Sequence, residues 1–209
     1  MPTIKPRSRG RPRAADVEER IFDATLRIFG SRGWSGLSIE AVATEAKVGK
    51  ASIYLRWSEK LQLLIDAIHD YHHRCGSVNS PDAEGGSVRE RLIHSVEGRA
   101  RLLLGAHGLA VVRLQVEIKA DPETWRPYRE AVMRDSVLRA RHWLQDAIDR
   151  GEVISQGSAM QILEAIEGSV YVHVMVTPPE LREQVLAALS GWATRLVDTQ
   201  LGLAGTKAD

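Results

Sequence analysis

The sequence predicts an all-α protein of about nine helices, three forming a small head and the rest a larger helical body. Three observations carry this. Apolar residues recur at helical spacing along most of the chain. Capping residues, Pro at first helical positions and Gly past last ones punctuate it at helix-length intervals. No convincing strand appears, and the β-prone stretch 170–176 lies inside a helical period.

The elements follow in order. Asp16 with Glu19 has the spacing of a capping box, so the first helix is expected from Asp16. Ile21, Ala24, Thr25, Ile28 and Phe29 form its inner stripe, and Gly30 and Gly33 end it. Ser38 is a suitable N-cap for the second helix, with Glu40 in its first turn. Ile39, Val42, Ala43 and Ala46 make that helix's buried face. A turn falls at Ala46-Lys47-Val48. A very short third helix runs from Gly49 to about Leu55 with Ile53 inward. The fourth begins near Ser58 and carries Leu61, Leu64, Ile65 and Ile68 inward. The Gly- and Ser-rich stretch 76–86 reads as a loop. In the body, Ser87 with Glu90 opens a helix to about Leu104, and another covers 108–120. Asp121-Pro122 predicts a long helix ending near Gly151. Ser158 caps a helix to about Val176, and Thr177-Pro178-Pro179-Glu180 opens the last, to about Leu201.

The second and third helices form a helix-turn-helix, a unit whose second helix can enter a DNA major groove. Val42-Ala43, the turn Ala46-Lys47-Val48, the segment Gly49-Lys50-Ala51-Ser52-Ile53-Tyr54, and then Trp57 and Lys60 resemble the pattern of the TetR family of transcriptional regulators. The match covers about the first third of the chain. Lys47, Gly49 and Leu55 depart from it, and Lys47, in place of the pattern's turn Gly, is expected to accept a positive φ. The resemblance implies a homodimeric, ligand-responsive, DNA-binding regulator. Its DNA-contacting set maps to Ser38, Thr44, Lys47, Lys50, Ala51, Ser52, Tyr54, Arg56 and Lys60, with Thr44 and Lys60 on phosphates.

Charge agrees with that division. Residues 1–60 carry a net +5 and the remainder a net −4, within a total of +1. A basic end on a slightly acidic body suits a nucleic-acid partner. Residues 1–13 are expected to be a disordered basic arm. Within it, Arg9-Gly10-Arg11-Pro12-Arg13 resembles the core of an AT-hook, which places Arg9, Arg11 and Arg13 in an A/T-rich minor groove. The expected organisation is therefore the arm, a DNA-binding domain over 14–57, and an effector-binding and dimerisation domain over 58–209. One cysteine, no apolar run of 18 residues and a polar N-terminus predict a cytoplasmic location without a membrane span.

Catalysis is not expected: no phosphate-binding Gly loop, nucleophile elbow or His-Glu-x-x-His stands in the chain, and no cofactor is implied. Asp66, His69, Asp70, His72, His73 and Cys75 crowd the end of the fourth helix. With no second ligand pair in sequence, they read as a polar helix end favoured by the helix dipole, not as a metal centre.

Two further sets belong to the body. His107, Arg113, Trp125 and Tyr128 are polar or aromatic residues on otherwise buried faces. So are His142, Trp143, Glu167 and Tyr171, and together they are candidates for an effector pocket. The aliphatic richness around them favours a hydrophobic effector. Leu163, Ile166, Val170 and Val174 form one apolar stripe on the last two helices. Val185, Leu189, Trp192 and Leu196 form another, and together they predict a homodimer interface. The alternative function is a structural DNA-binding protein that coats or bends DNA without a ligand. A sharp palindromic operator distinguishes the two.

Overall fold

The computed structural model describes residues 14–75, 86–153 and 157–203. Among these every regular element is helical. The chain divides into two compact units, residues 1–67 and 68–209.

The first unit is built on α1 (Ala14–Gly36), α2 (Ile39–Ala46), α3 (Lys50–Tyr54) and the start of α4 (Lys60–Arg74). The first helix starts two residues before Asp16, which sits inside the first turn. Helical backbone breaks at Gly33 (φ 72°), one of the glycines expected to end the helix. Ile21, Phe22, Leu26, Phe29, Leu37, Val42 and Ile53 are buried. Thr25, also buried, donates its hydroxyl to the Ile21 carbonyl at 2.7 Å. This disposes of its polar group inside the helix's own turn.

The division falls within α4, ten residues later than the expected boundary. The reason is local. Trp57 packs edge-on to Phe22 (5.5 Å) and donates its indole N–H to Asp66 at 2.8 Å. The first turns of α4 are thereby tied to the head.

The second unit holds the rest of α4, then α5 (Val88–Leu104), α6 (Gly108–Ala120), α7 (Arg126–Tyr128), a π-helical turn (Arg129–Met133), α8 (Arg134–Asp149), α9 (Ala159–Val176) and α10 (Arg182–Gln200). Counting α7 to α8 as one run and setting a 3₁₀ turn aside, the described residues carry nine helical segments. Both capping boxes form: Ser87 with Glu90 on α5, and Ser158 with Gln161 on α9. Helix α5 is central and packs on α6, α9 and α10. Arg89 holds Asp198 of α10 through two bonds, 2.5 and 2.9 Å. That contact lowers the Asp198 carboxyl below its ordinary range.

Two start signals act differently from expectation. The Asp121 carboxylate accepts from the Thr124 amide (3.2 Å) and hydroxyl (2.6 Å), which closes a turn and opens no helix. Helix begins at Arg126 with Pro127 in its first turn, and a π-turn interrupts it just after the buried Trp125 and Tyr128. The Thr177 hydroxyl donates back to His173 O at 2.6 Å and caps nothing ahead. A 3₁₀ turn, Pro179–Leu181, precedes α10 instead.

Candidate nucleic-acid interface and effector region

In the helix-turn-helix, Ser38 accepts from the Ala41 amide at 3.1 Å and so spends its hydroxyl oxygen on starting α2. The turn closes through Lys47, whose φ of 55° makes it the one non-Gly positive-φ residue among those described. The Val48 amide bonds Ala43 O at 3.0 Å. The expected left-handed lysine is therefore present. Helix α3 turns Ile53 fully inward and leaves Lys50, Ala51, Ser52 and Tyr54 at the surface, with Tyr54 half exposed. Leu55, at 86% exposure, stands beside them. An exposed leucine there has no role in the core.

The charged groups are held by exchangeable surface pairs. Lys50 Nζ lies 3.2 Å from Glu40, and Arg56 lies 3.1 Å from Glu18. Such exposed pairs are worth little. A phosphate or a base edge can replace either carboxylate. The Thr44 hydroxyl donates to Glu40 O at 2.9 Å and remains at the surface.

Lys60 differs. Its ammonium donates to the carbonyls of Trp34 (2.9 Å) and Leu37 (3.0 Å) and sits 4.0 Å from the Trp34 ring centroid. It serves the carbonyls around the end of α1, as cationic side chains do at helix C-termini. Partial burial lowers its pKa. This task differs from the expected phosphate contact: Lys60 is a structural tie of the head. Lys60→Ala should cost roughly 1–3 kcal/mol of stability. It should leave the salt dependence of DNA binding unchanged. Urea unfolding and a salt titration check both, and unaltered unfolding overturns the assignment. Arg9, Arg11 and Arg13 lie outside the described residues.

In the second unit the pocket candidates separate. Trp125 and Tyr128 are buried, and Glu167 and Tyr171 are half-buried on α9. Glu167 meets Arg99 of α5 at 3.3 Å, where the Arg99 side chain is only 15% exposed. Burial pushes the Tyr128 phenol up to about 12 and raises Tyr171 as well, while Arg99 pulls both the other way. Trp143 carries the Arg91 guanidinium at 4.4 Å from its ring centroid. Arg113 is half-buried on α6. His107 is taken by a different task, its ring edge-on to Tyr71 at 5.2 Å and its amide donating to the Tyr71 hydroxyl. His142 is exposed, because its helix turns Leu144 and Ala147 inward and leaves it on the opposite face, so it is not a pocket residue. Arg99, which the sequence reading missed, lies on the stripe Leu92, Val96 and Leu103. A cation in that stripe was the available signal.

Comparison with known proteins decides the family. The description "Bacterial regulatory proteins, tetR family" matches residues 21–67, and "Tetracyclin repressor-like, C-terminal domain" matches residues 82–191. The chain belongs to the TetR family. It is similar to the HTH-type transcriptional regulator YdeS of Bacillus subtilis (strain 168), 25% identical over 87% of this chain and 89% of that one. Among solved structures it resembles AibR in complex with isovaleryl coenzyme A and operator DNA (TM-score 0.63, 20% identity, 84% of this chain and 97% of that one). It also resembles the regulator FadR of Bacillus subtilis in complex with stearoyl-CoA (TM-score 0.60, 21% identity, 85% and 96%).

This TetR-family chain distributes its last two helices unlike the expected interface. Ile166, Val170 and Leu189 are buried within the single chain, as are Ala193 and Val197. They pack inward because α9 and α10 both lie on α5, so they cannot also meet a second subunit. Leu163, Val174, Val185, Trp192 and Leu196 are half-buried. The outward face is different: Gly168, Val172, Val176, Trp192 and Leu196 line an open groove of ≈ 690 Å³ between α9 and α10. There Trp192 stacks on His173 at 4.4 Å, nearly parallel.

Proposed function

We propose that this TetR-family regulator is a homodimeric repressor that binds a palindromic operator and is released by a small hydrophobic effector. The observation that carries the DNA part is α3, anchored by Ile53 alone, with Lys50, Ala51, Ser52 and Tyr54 left outside. Lys50 and Tyr54 are assigned to base edges and backbone, Thr44, Lys47 and Arg56 to the flanks, and the arm of Arg9, Arg11 and Arg13 to the minor groove. The effector is assigned to the neighbourhood of Trp125, Tyr128, Trp143 and Tyr171. The Arg99–Glu167 pair there offers a polar anchor beside apolar walls. The isovaleryl- and stearoyl-coenzyme A complexes of AibR and FadR support a ligand with an apolar acyl part.

A ligand can release DNA only if it prefers a conformation in which the two recognition helices are wrongly spaced. Their correct spacing is about one helical turn of DNA, ~34–36 Å. Linkage then requires operator DNA to weaken the effector by the same factor that the effector weakens DNA. The test is selection of the operator from random sequence, followed by calorimetry of isovaleryl- and stearoyl-coenzyme A with and without it. The expected result is a sharp palindrome and equal reciprocal factors. Diffuse binding without a symmetric site, with ligand affinity unaltered by DNA, would instead favour the ligand-independent structural DNA-binding protein.

A further inference from the structure

The end of α4 carries a feature that DNA binding and effector release leave unused. His69 and His73 stand four residues apart on one helix face, both exposed. Their Nε2 atoms approach to 3.3 Å, with ring centroids 4.4 Å apart and planes inclined by 67°. One ring N–H can donate to the other ring's nitrogen at this distance, the tautomers setting the roles. The separation also matches a second geometry. With zinc–nitrogen bonds of about 2.0–2.1 Å and a tetrahedral angle, two imidazoles on one zinc ion hold their nitrogens about 3.3–3.4 Å apart. Square-planar ligation would draw them closer, to about 2.8–3.0 Å. We propose that His69 and His73 form a two-imidazole site for a tetrahedral divalent cation of the zinc class, completed by water.

Neighbouring groups fit that assignment. Asp70 is paired with Arg74 at 2.7 Å, and Asp66 accepts from Trp57 and Gln62. Among the described residues no cluster of three ligating side chains exists. The site is therefore a bidentate clip open to solvent, not a closed structural centre. An ion bridging positions i and i+4 binds only where those residues are helical, so it should stabilise the last turns of α4 by linkage. This holds whether or not the effector reading is correct.

The test uses the full chain with zinc chloride as the only probe, competed against a chromogenic chelator. The wild type should bind one zinc per chain at this site. His69→Ala and His73→Ala should each weaken it at least tenfold. His142→Ala, an exposed histidine on α8, should not change it. Zinc should raise the thermal midpoint of the wild type and of His142→Ala, and of neither helix-four variant. Circular dichroism of the apo-variants checks that they fold. Equal zinc affinity in the wild type and both helix-four variants, or no zinc bound by the wild type, overturns the site.

Discussion

Trp192→Asp should convert the proposed homodimer to a monomer. The α9–α10 groove exposes Val172 at 63% and Val176 at 69%, with Trp192 and Leu196 also lining it and Gly168 without a side chain. A helix pair so lined gains from a partner that removes this surface from water, and a two-fold axis would place the same groove opposite itself. In such an interface Trp192 occurs twice. Each copy contributes about 1.5–3 kcal/mol of transfer free energy when buried. Replacing both with carboxylates removes that gain and sets two charges in an apolar seam. A loss near ~5 kcal/mol weakens association by about 10³–10⁴-fold. Light scattering coupled to size exclusion reads it directly. Val116→Asp is the control, since Val116 on α6 is equally exposed (63%) but lies outside the groove. If Trp192→Asp remains dimeric while Val116→Asp does not, the interface lies on α6.

The same face shows what sequence could and could not tell. Periodicity found the apolar stripes of α9 and α10 but could not say which of their residues meet α5 and which stay nearer the surface. Ile166 and Val170 look like an interface only until α5 is placed under them. The helix-turn-helix was legible because its constraints are local: Ser38 caps, Lys47 takes the left-handed turn, and Ile53 points in, all within sixteen residues. The tie made by Lys60 was not legible because its partners, the carbonyls of Trp34 and Leu37, are over twenty residues away. Asp121-Pro122 carried a start signal, but Thr124 captured the aspartate first. Arg99 was passed over because its partner Glu167 belongs to a distant helix.

Gly108→Ala should strongly destabilise the second unit. A Cβ there would stand 1.7 Å from Leu103 O and 2.5 Å from the Leu103 carbonyl carbon. Both are backbone, so no side chain can yield, and the α5–α6 turn must open. The expected cost is upwards of about 3 kcal/mol, a fall of roughly 10 °C in midpoint. Gly105→Ala meets a different obstacle, the Tyr71 hydroxyl at 2.1 Å. That hydroxyl donates to Leu102 O at 2.8 Å and accepts from the His107 amide at 3.3 Å, pinning the same turn to α4. Burial raises the phenol's pKa, so it stays protonated and keeps its donor role. Tyr71→Phe alone removes both bonds and should cost about 1–3 kcal/mol. It also deletes the atom that Gly105→Ala would strike. The two substitutions should therefore couple: Gly105→Ala costs clearly less in the Tyr71→Phe background than in the wild type, by at least ~1 kcal/mol. Urea unfolding of the four proteins measures the coupling. Strict additivity would show that the strain at position 105 comes from the carbonyls of Arg101 and Leu102, 3.1 and 3.2 Å from the added carbon, and not from Tyr71.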